Sequence, residues 1–217
     1  MTRIHAGALL TRPPGGKYAA ALDFAELTLP KPLPGARTLR RWRQEIPSNM
    51  VLSLVVTRES TRSEKGPLRF DDAMETEFER MREAATILDV RFVVLTTAGD
   101  ITTGRRDRDL LRAWVERWKG QRTIVWQPTG LWDPELAAPF AEKLGAIYGF
   151  DPLETEAPPG ALIYARLRAL GARKRFDETQ LLEVVDTLET SDADEAFVAL
   201  NSPASFREAS RLVQLGS

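Results

Sequence analysis

The 217 residues are 43% apolar and 28% charged, the balance of an ordinary globular domain with a sizeable core. Thirty Lys and Arg stand against thirty-one Asp and Glu, a net charge of −1, so no bulk basicity points to nucleic acid. With no cysteine and a single histidine, His5, the composition excludes disulfides, Cys-ligated zinc, iron–sulfur clusters, thiol nucleophiles and any site built on several imidazoles.

The first apolar run, Ile4–Leu9, reads as a strand. It is followed by a Pro- and Gly-rich connection, Leu10–Ala19, too short for a good helix, and by a second strand over Ala20–Leu27. Leu39, Trp42 and Ile46 share one helical stripe before a third strand, Val51–Thr57. From Asp72 to Leu88 the spacing of Met74, Phe78, Met81, Ala85 and Leu88 predicts a long amphipathic helix, and Phe92–Thr97 a fourth strand. Leu111, Trp114 and Trp118 mark the next helix, which Gly120 follows, and Thr123–Gln127 the fifth strand. Asp133-Pro134-Glu135 gives a cap, an N1 proline and a first-turn acid to a helix carrying Leu136, Phe140 and Leu144, with Gly145 past its end. Strand six, Ala146–Phe150, runs into a Pro-rich stretch, Asp151–Gly160, without a helix, and strand seven is Leu162–Leu167. Asp177 and Gln180 have capping-box spacing ahead of Leu181, Val184, Val185 and Leu188. Strand eight, Ala196–Asn201, is followed by Ser202-Pro203 as N-cap and N1 of a last helix with Phe206, Ala209 and Val213.

Most of these strands are continuously apolar (VLSLVVT, RFVVLTT), the pattern of strands covered on both faces. Eight of them alternating with helices predict a single α/β domain over the whole chain, a TIM-type (β/α)8 barrel abbreviated to about six regular outer helices. A doubly wound open sheet is the alternative, without a G-x-G-x-x-G or phosphate-binding loop to recommend it. No apolar run approaches the roughly 18 residues of a membrane span. The first sixteen residues have too short and interrupted an apolar core for a signal peptide, so a cytoplasmic location away from membranes is expected.

A barrel carries its site on the loops after its strands. Several are basic here: Arg12 and Lys17; Arg58, Arg62, Lys65 and Arg69; Arg105, Arg106 and Arg108; Arg173, Lys174 and Arg175. Converging guanidinium groups suit phosphates and carboxylates, whereas arginines on solvated loops, offset by Glu59, Glu64, Asp100, Asp107 and Asp177, are also ordinary surface. Candidate proton-transfer groups are Asp23, Asp100 and Asp151, the last preceding Pro152 as a turn aspartate would. His5, without a second imidazole or a thiol, reads as a hydrogen-bonded core residue. Trp132 reads as a staple at the entrance of the following helix rather than an exposed stacking platform. Arg166 and Asn201 are polar residues in apolar strands and need partners, from a ligand or from a structural network.

The stretch LPKPLPGARTLRRWRQEIPSNMVLSLVVTRESTR, Leu29–Arg62, resembles the YecE-like barrel family, in which a Leu-Pro turn leads to a Thr-x-x-x-Trp helix and then to a strand with a Pro-Arg-x-x-Thr-His loop. IVWQPTGLW, IYARLR and FVALNSPASFREASRLVQL resemble later family segments. The resemblance implies a TIM-type barrel, with Arg58, Thr61, Trp132, Arg166 and Asn201 standing as the family residues do. It departs at Val55 (lysine in the family), at Arg62 and Arg168 (histidines), and at Val125-Trp126-Gln127-Pro128 in place of Glu-Phe-Arg-His. The family's strand-two glutamate aligns with Asp23 only through a gap.

Proton-transfer positions have thus become apolar or permanently cationic, since arginine stays charged up to pH ~12. The expectation is a barrel that binds an anionic ligand or partner at its mouth through Arg58, Thr61, Arg62, Gln127, Arg166, Arg168 and Asn201. The partner would be a small anion, a nucleic acid or a protein, and no cofactor or metal is expected. The alternative is a hydrolase of a phosphate- or carboxylate-bearing molecule, with Asp23 as base. A His-rich metal-dependent nuclease is disfavoured by the lone histidine.

Overall fold

A computed structural model describes residues 2–171 and 174–216. Arg173, one of the loop arginines above, lies outside the described residues. Eight parallel strands close into a barrel: β1 (Arg3–Leu10), β2 (Phe24–Thr28), β3 (Val51–Val55), β6 (Phe92–Thr97), β7 (Thr123–Pro128), β8 (Ile147–Phe150), β9 (Leu162–Arg168) and β10 (Glu195–Asn201). Their order around the barrel is β1-β10-β9-β8-β7-β6-β3-β2. A two-residue hairpin, β4 (Arg62–Ser63) and β5 (Gly66–Pro67), decorates the loop after β3.

Six helices of ten or more residues surround the strands among the described residues: α2 (Ala36–Glu45), α3 (Asp72–Ile87), α4 (Arg105–Glu116), α5 (Pro134–Leu144), α6 (Glu178–Glu189) and α7 (Ser205–Leu215). None is long and apolar enough to cross a membrane. The Leu10–Ala19 connection, expected without a helix, holds one turn, α1 (Gly16–Ala19). That turn buries Tyr18, whose hydroxyl accepts the Ala8 N–H at 2.8 Å and donates to the Phe24 carbonyl at 2.7 Å. It thereby ties β1 to β2 below their short ladder, which begins only at Leu9 and Glu26.

Strand alternation separates two apolar sets. Outward residues such as Leu27, Leu52, Leu54, Val93 and Leu95 pack with the helices, while Phe24, Phe92, Val94, Val125, Tyr164, Phe197 and Ala199 fill the lumen. Gly7 sits where β1 passes closest to β2: a Cβ there would come within 2.3 Å of the Phe24 carbonyl oxygen.

The helix stripes seat largely as their spacing predicts, except that Leu136 is exposed, because α5 turns Ala137, Phe140 and Ala141 to the core instead. Met74, Phe78, Met81 and Phe140 are buried, with Phe78 edge-on to Trp114 and against Trp118. Trp42 is only half-buried, because α2 rests on the rim of the core through Leu39. The Asp177–Gln180 capping box forms in full. Asp133 takes the N-cap position of α5, but its side chain makes no capping bond. The last helix starts at Ser205 rather than Pro203: Ser202 accepts the Ala204 N–H and donates to the buried Glu208, so the hydroxyl organises the turn before the helix.

Candidate functional site

The C-terminal ends of β7, β8, β9 and β10 and the loops after them surround a cleft of about 560 Å³. Its floor is a chain of polar side chains rising from the lumen. Glu26 on β2 is 1% exposed and faces β9 across the barrel. Its carboxylate accepts the Tyr164 hydroxyl at 2.8 Å, Arg166 Nε at 3.1 and 2.9 Å, and Arg166 Nη2 at 2.8 Å. Ser53 Oγ on β3 lies 2.6 Å from the Tyr164 hydroxyl, and Arg166 Nη1 donates to Gln127 Oε1 on β7 at 2.5 Å. Tyr164, Arg166 and Arg168 are alternate residues of β9, so all three point to the same side and step upward from the core to the mouth.

This network explains the charge state of the floor. Burial and the neighbouring Glu26 carboxylate both hold the Tyr164 phenol neutral, far above its ordinary titration range. Burial works against the Arg166 guanidinium charge, but Glu26 more than offsets it, so that pKa is raised. Two of the five N–H groups of Arg166 go to Glu26 and one to Gln127, leaving one on each terminal nitrogen without a partner among the described residues. At the top, Arg168 pairs in register with Asn201. Both are exposed to the cleft, and the Arg168 guanidinium has no ion pair or hydrogen bond among the described residues.

On the adjoining strand end stands Asp151, immediately after β8, which pairs directly with β9. Its Oδ1 accepts the Leu153 N–H at 3.0 Å, as a turn aspartate before proline does. It also lines the cleft, and burial raises its pKa to about 6, with the Leu153 N–H opposing and the nearby Glu154 adding to the rise.

The expected binding residues divide between two neighbouring hollows. Gln127, Arg166, Arg168 and Asn201 line the mouth cleft; Arg58, Thr61 and Arg62 line a separate pocket of about 330 Å³ between β3 and β6, and Thr96 borders both. The wider basic rim does not converge. Arg62 is ion-paired with Asp100, Arg105 with Asp109, Arg69 donates to the Lys65 carbonyl, and Arg108 lies over the Trp132 and Phe140 rings. Trp132 is the predicted staple: 5% exposed, its Nε1 donates to the Ile101 carbonyl and its ring stacks on Phe140.

Asp23 is a correction. The second strand starts at Phe24, so Asp23 lies before it, at the N-terminal end of the barrel. There its carboxylate binds His5 Nδ1 at 2.7 Å, and the aromatic layer of Phe24, Phe92 and Phe197 lies between it and the mouth. A base for chemistry at the mouth is therefore not available from Asp23. The strand-two carboxylate is Glu26, which sequence reasoning passed over although a lone Glu within FAELT carries the same signal that singled out Arg166. His5 is the core residue expected, stacked on Phe197 at 4.6 Å. Among the described residues no group of three or more His, Cys, Asp or Glu side chains is placed to hold a metal ion.

No protein-family model matches the sequence, and no curated protein matches it. Solved structures do. A DUF72 family protein from Enterococcus faecalis superposes with a TM-score of 0.71 at 12% identity, covering 98% of this chain and 94% of that one. One from Thermotoga maritima superposes at 0.69 and 14%, covering 98% and 97%. A family 2 AP endonuclease from Brucella melitensis follows at 0.56 and 11%, covering 93% of each chain. The chain thus has the closed-barrel fold of the DUF72, or YecE-like, proteins, the fold that the Leu29–Arg62 resemblance implied.

Proposed function

We propose that the mouth cleft binds a small molecule bearing a carboxylate or phosphate. The observation that carries this is Arg168: a guanidinium with no partner among the described residues, beside Asn201, on the wall of a cleft whose floor arginine is already ion-paired. Glu26 cancels the charge of Arg166, so the floor offers directed N–H donors, and Arg168 supplies a guanidinium left without an ion pair among the described residues. Asp151 and Glu154 put negative charge on the loop after β8, beside the arginines of β9, which fits an anion with a polar, hydrogen-bonding body better than a bare anion. With Asp151 titrating near 6, anion affinity rises as pH falls through that value, because protonation removes a like charge.

The test is a calorimetric titration with sulfate, whose charge is constant from pH 5 to 8, at low salt. Wild type should bind one sulfate, more tightly at pH 5.5 than at pH 7.5, and Arg168→Met should weaken it at least tenfold without changing the unfolding midpoint. Sulfate binding unchanged in Arg168→Met, or absent in wild type, overturns the proposal. Arg166 is not the residue to remove, since its loss would leave Glu26 buried and unpaired.

A further inference from the structure

The pocket between β3 and β6 differs in character from the mouth cleft: its wall is predominantly apolar, where that of the cleft is predominantly polar. Val56, Leu68, Leu95 and Ile101 form its floor, and Pro67 and Ala98 its sides. Arg58 stands at its rim, exposed, its guanidinium without an ion pair or hydrogen bond among the described residues. The second arginine of the rim, Arg62, is neutralised by Asp100. The pocket therefore combines an apolar floor with one rim guanidinium that makes no ion pair or hydrogen bond among the described residues.

The loop that forms it is built rather than loose. Ser60 is fully buried, with its hydroxyl donating to the Thr57 carbonyl at 2.9 Å; the Thr61 hydroxyl bonds the Thr57 and Arg58 carbonyls. Leu68, 2% exposed, is held at a φ of 54°, a left-handed conformation that a leucine rarely adopts, with its N–H donating to the Thr61 carbonyl at 2.8 Å. The β4–β5 hairpin fixes the two sides of that turn. Strain of this kind persists only where the surroundings over-determine it, and it shapes this floor.

Thr96, exposed at the top of β6, borders both hollows, so one ligand can occupy them together. We infer that the pocket is the apolar subsite of the barrel mouth, taking an aromatic or branched hydrocarbon group with an acid group set on Arg58. The substrate class is then an amphipathic organic diacid, its polar remainder crossing Thr96 to set the second acid group on Arg168. This deepens the mouth-cleft reading, on which it rests for the polar half of the ligand.

2-Naphthoate is the probe for the apolar half, with acetate as the acid lacking it and sulfate as the reporter of the mouth cleft. Wild type should bind naphthoate at least tenfold more tightly than acetate. Ala98→Phe fills the pocket from an exposed position and should weaken naphthoate tenfold or more while leaving sulfate affinity unchanged. Arg58→Met should weaken naphthoate several-fold and flatten its dependence on salt. Equal affinities for naphthoate and acetate, or naphthoate binding unaltered in both variants, overturn the subsite. The mouth-cleft reading fails separately: sulfate unbound, with naphthoate still sensitive to Ala98→Phe, keeps the apolar subsite and removes only its link to Arg168.

Discussion

Asp23 and Asp151 each flank a barrel strand, yet their surroundings move them in opposite directions. The His5 hydrogen bond, against a smaller opposing effect of burial, holds Asp23 below the ordinary carboxylate range, so its contribution to stability is present above that range and is lost as pH falls through the depressed value. Burial raises Asp151 to about 6, so the folded chain holds that proton more tightly than the unfolded one, and stability falls as pH rises from about 4 to 6. Asp151→Asn keeps an oxygen to accept the Leu153 N–H and has no charge to bury. It should be more stable than wild type above pH 6, by ~1 kcal/mol after solvent screening, and lose the advantage below pH 4. Urea unfolding across that range measures the difference, and a constant offset between the two proteins at all pH values would show that burial does not move this carboxyl. In the sequence Asp151 read equally well as a turn residue, and it is one. What the sequence did not contain is the wall of the cleft around it.

The elements themselves were legible because their signals are local. A stripe at spacings of three and four buries Met74, Phe78 and Met81 in α3, and the Asp177–Gln180 spacing becomes a complete capping box. Phe78 makes edge and tilted contacts with Phe70, Trp114 and Trp118 and is fully buried. Phe78→Ala should therefore cost about 3–5 kcal/mol in chemical denaturation. A cost below 1 kcal/mol would mean that the α3–α4 contact is not formed as described. Boundaries were less legible. Ser202-Pro203 has the composition of a helix start, but its hydroxyl serves Glu208 and the turn, which delays α7 to Ser205. Ala20–Asp23 looked like strand because it is apolar up to its last residue. In the structure Ala20 and Ala21 close the turn after α1 onto the Gly16 and Tyr18 carbonyls, and pairing with β3 starts at Phe24. That four-residue difference is what carried Asp23 to the wrong end of the barrel.

At the scale of the whole molecule, the Glu26–Arg166 pair joins residues 140 apart across the lumen and sets the floor of the site. A buried ion pair contributes little net stability but is costly to break singly. Arg166→Met should destabilise the fold by about 3–5 kcal/mol, and adding Glu26→Gln should recover much of the loss, because no unpaired charge then remains in the lumen. Additive losses in a double-mutant cycle would show that the two side chains do not act as a pair. The sequence by itself determined the barrel: the alternation of apolar runs and amphipathic stripes is written in neighbouring residues, as is the placing of Gln127, Arg166, Arg168 and Asn201 at the ends of strands. Only the tertiary structure decided which of these charges remain for a ligand. Arg166 is cancelled by Glu26, Arg62 by Asp100, and Arg58 and Arg168 are left over. Whether a guanidinium is free depends on what barrel closure brings opposite it, and closure sets strands distant in the chain face to face.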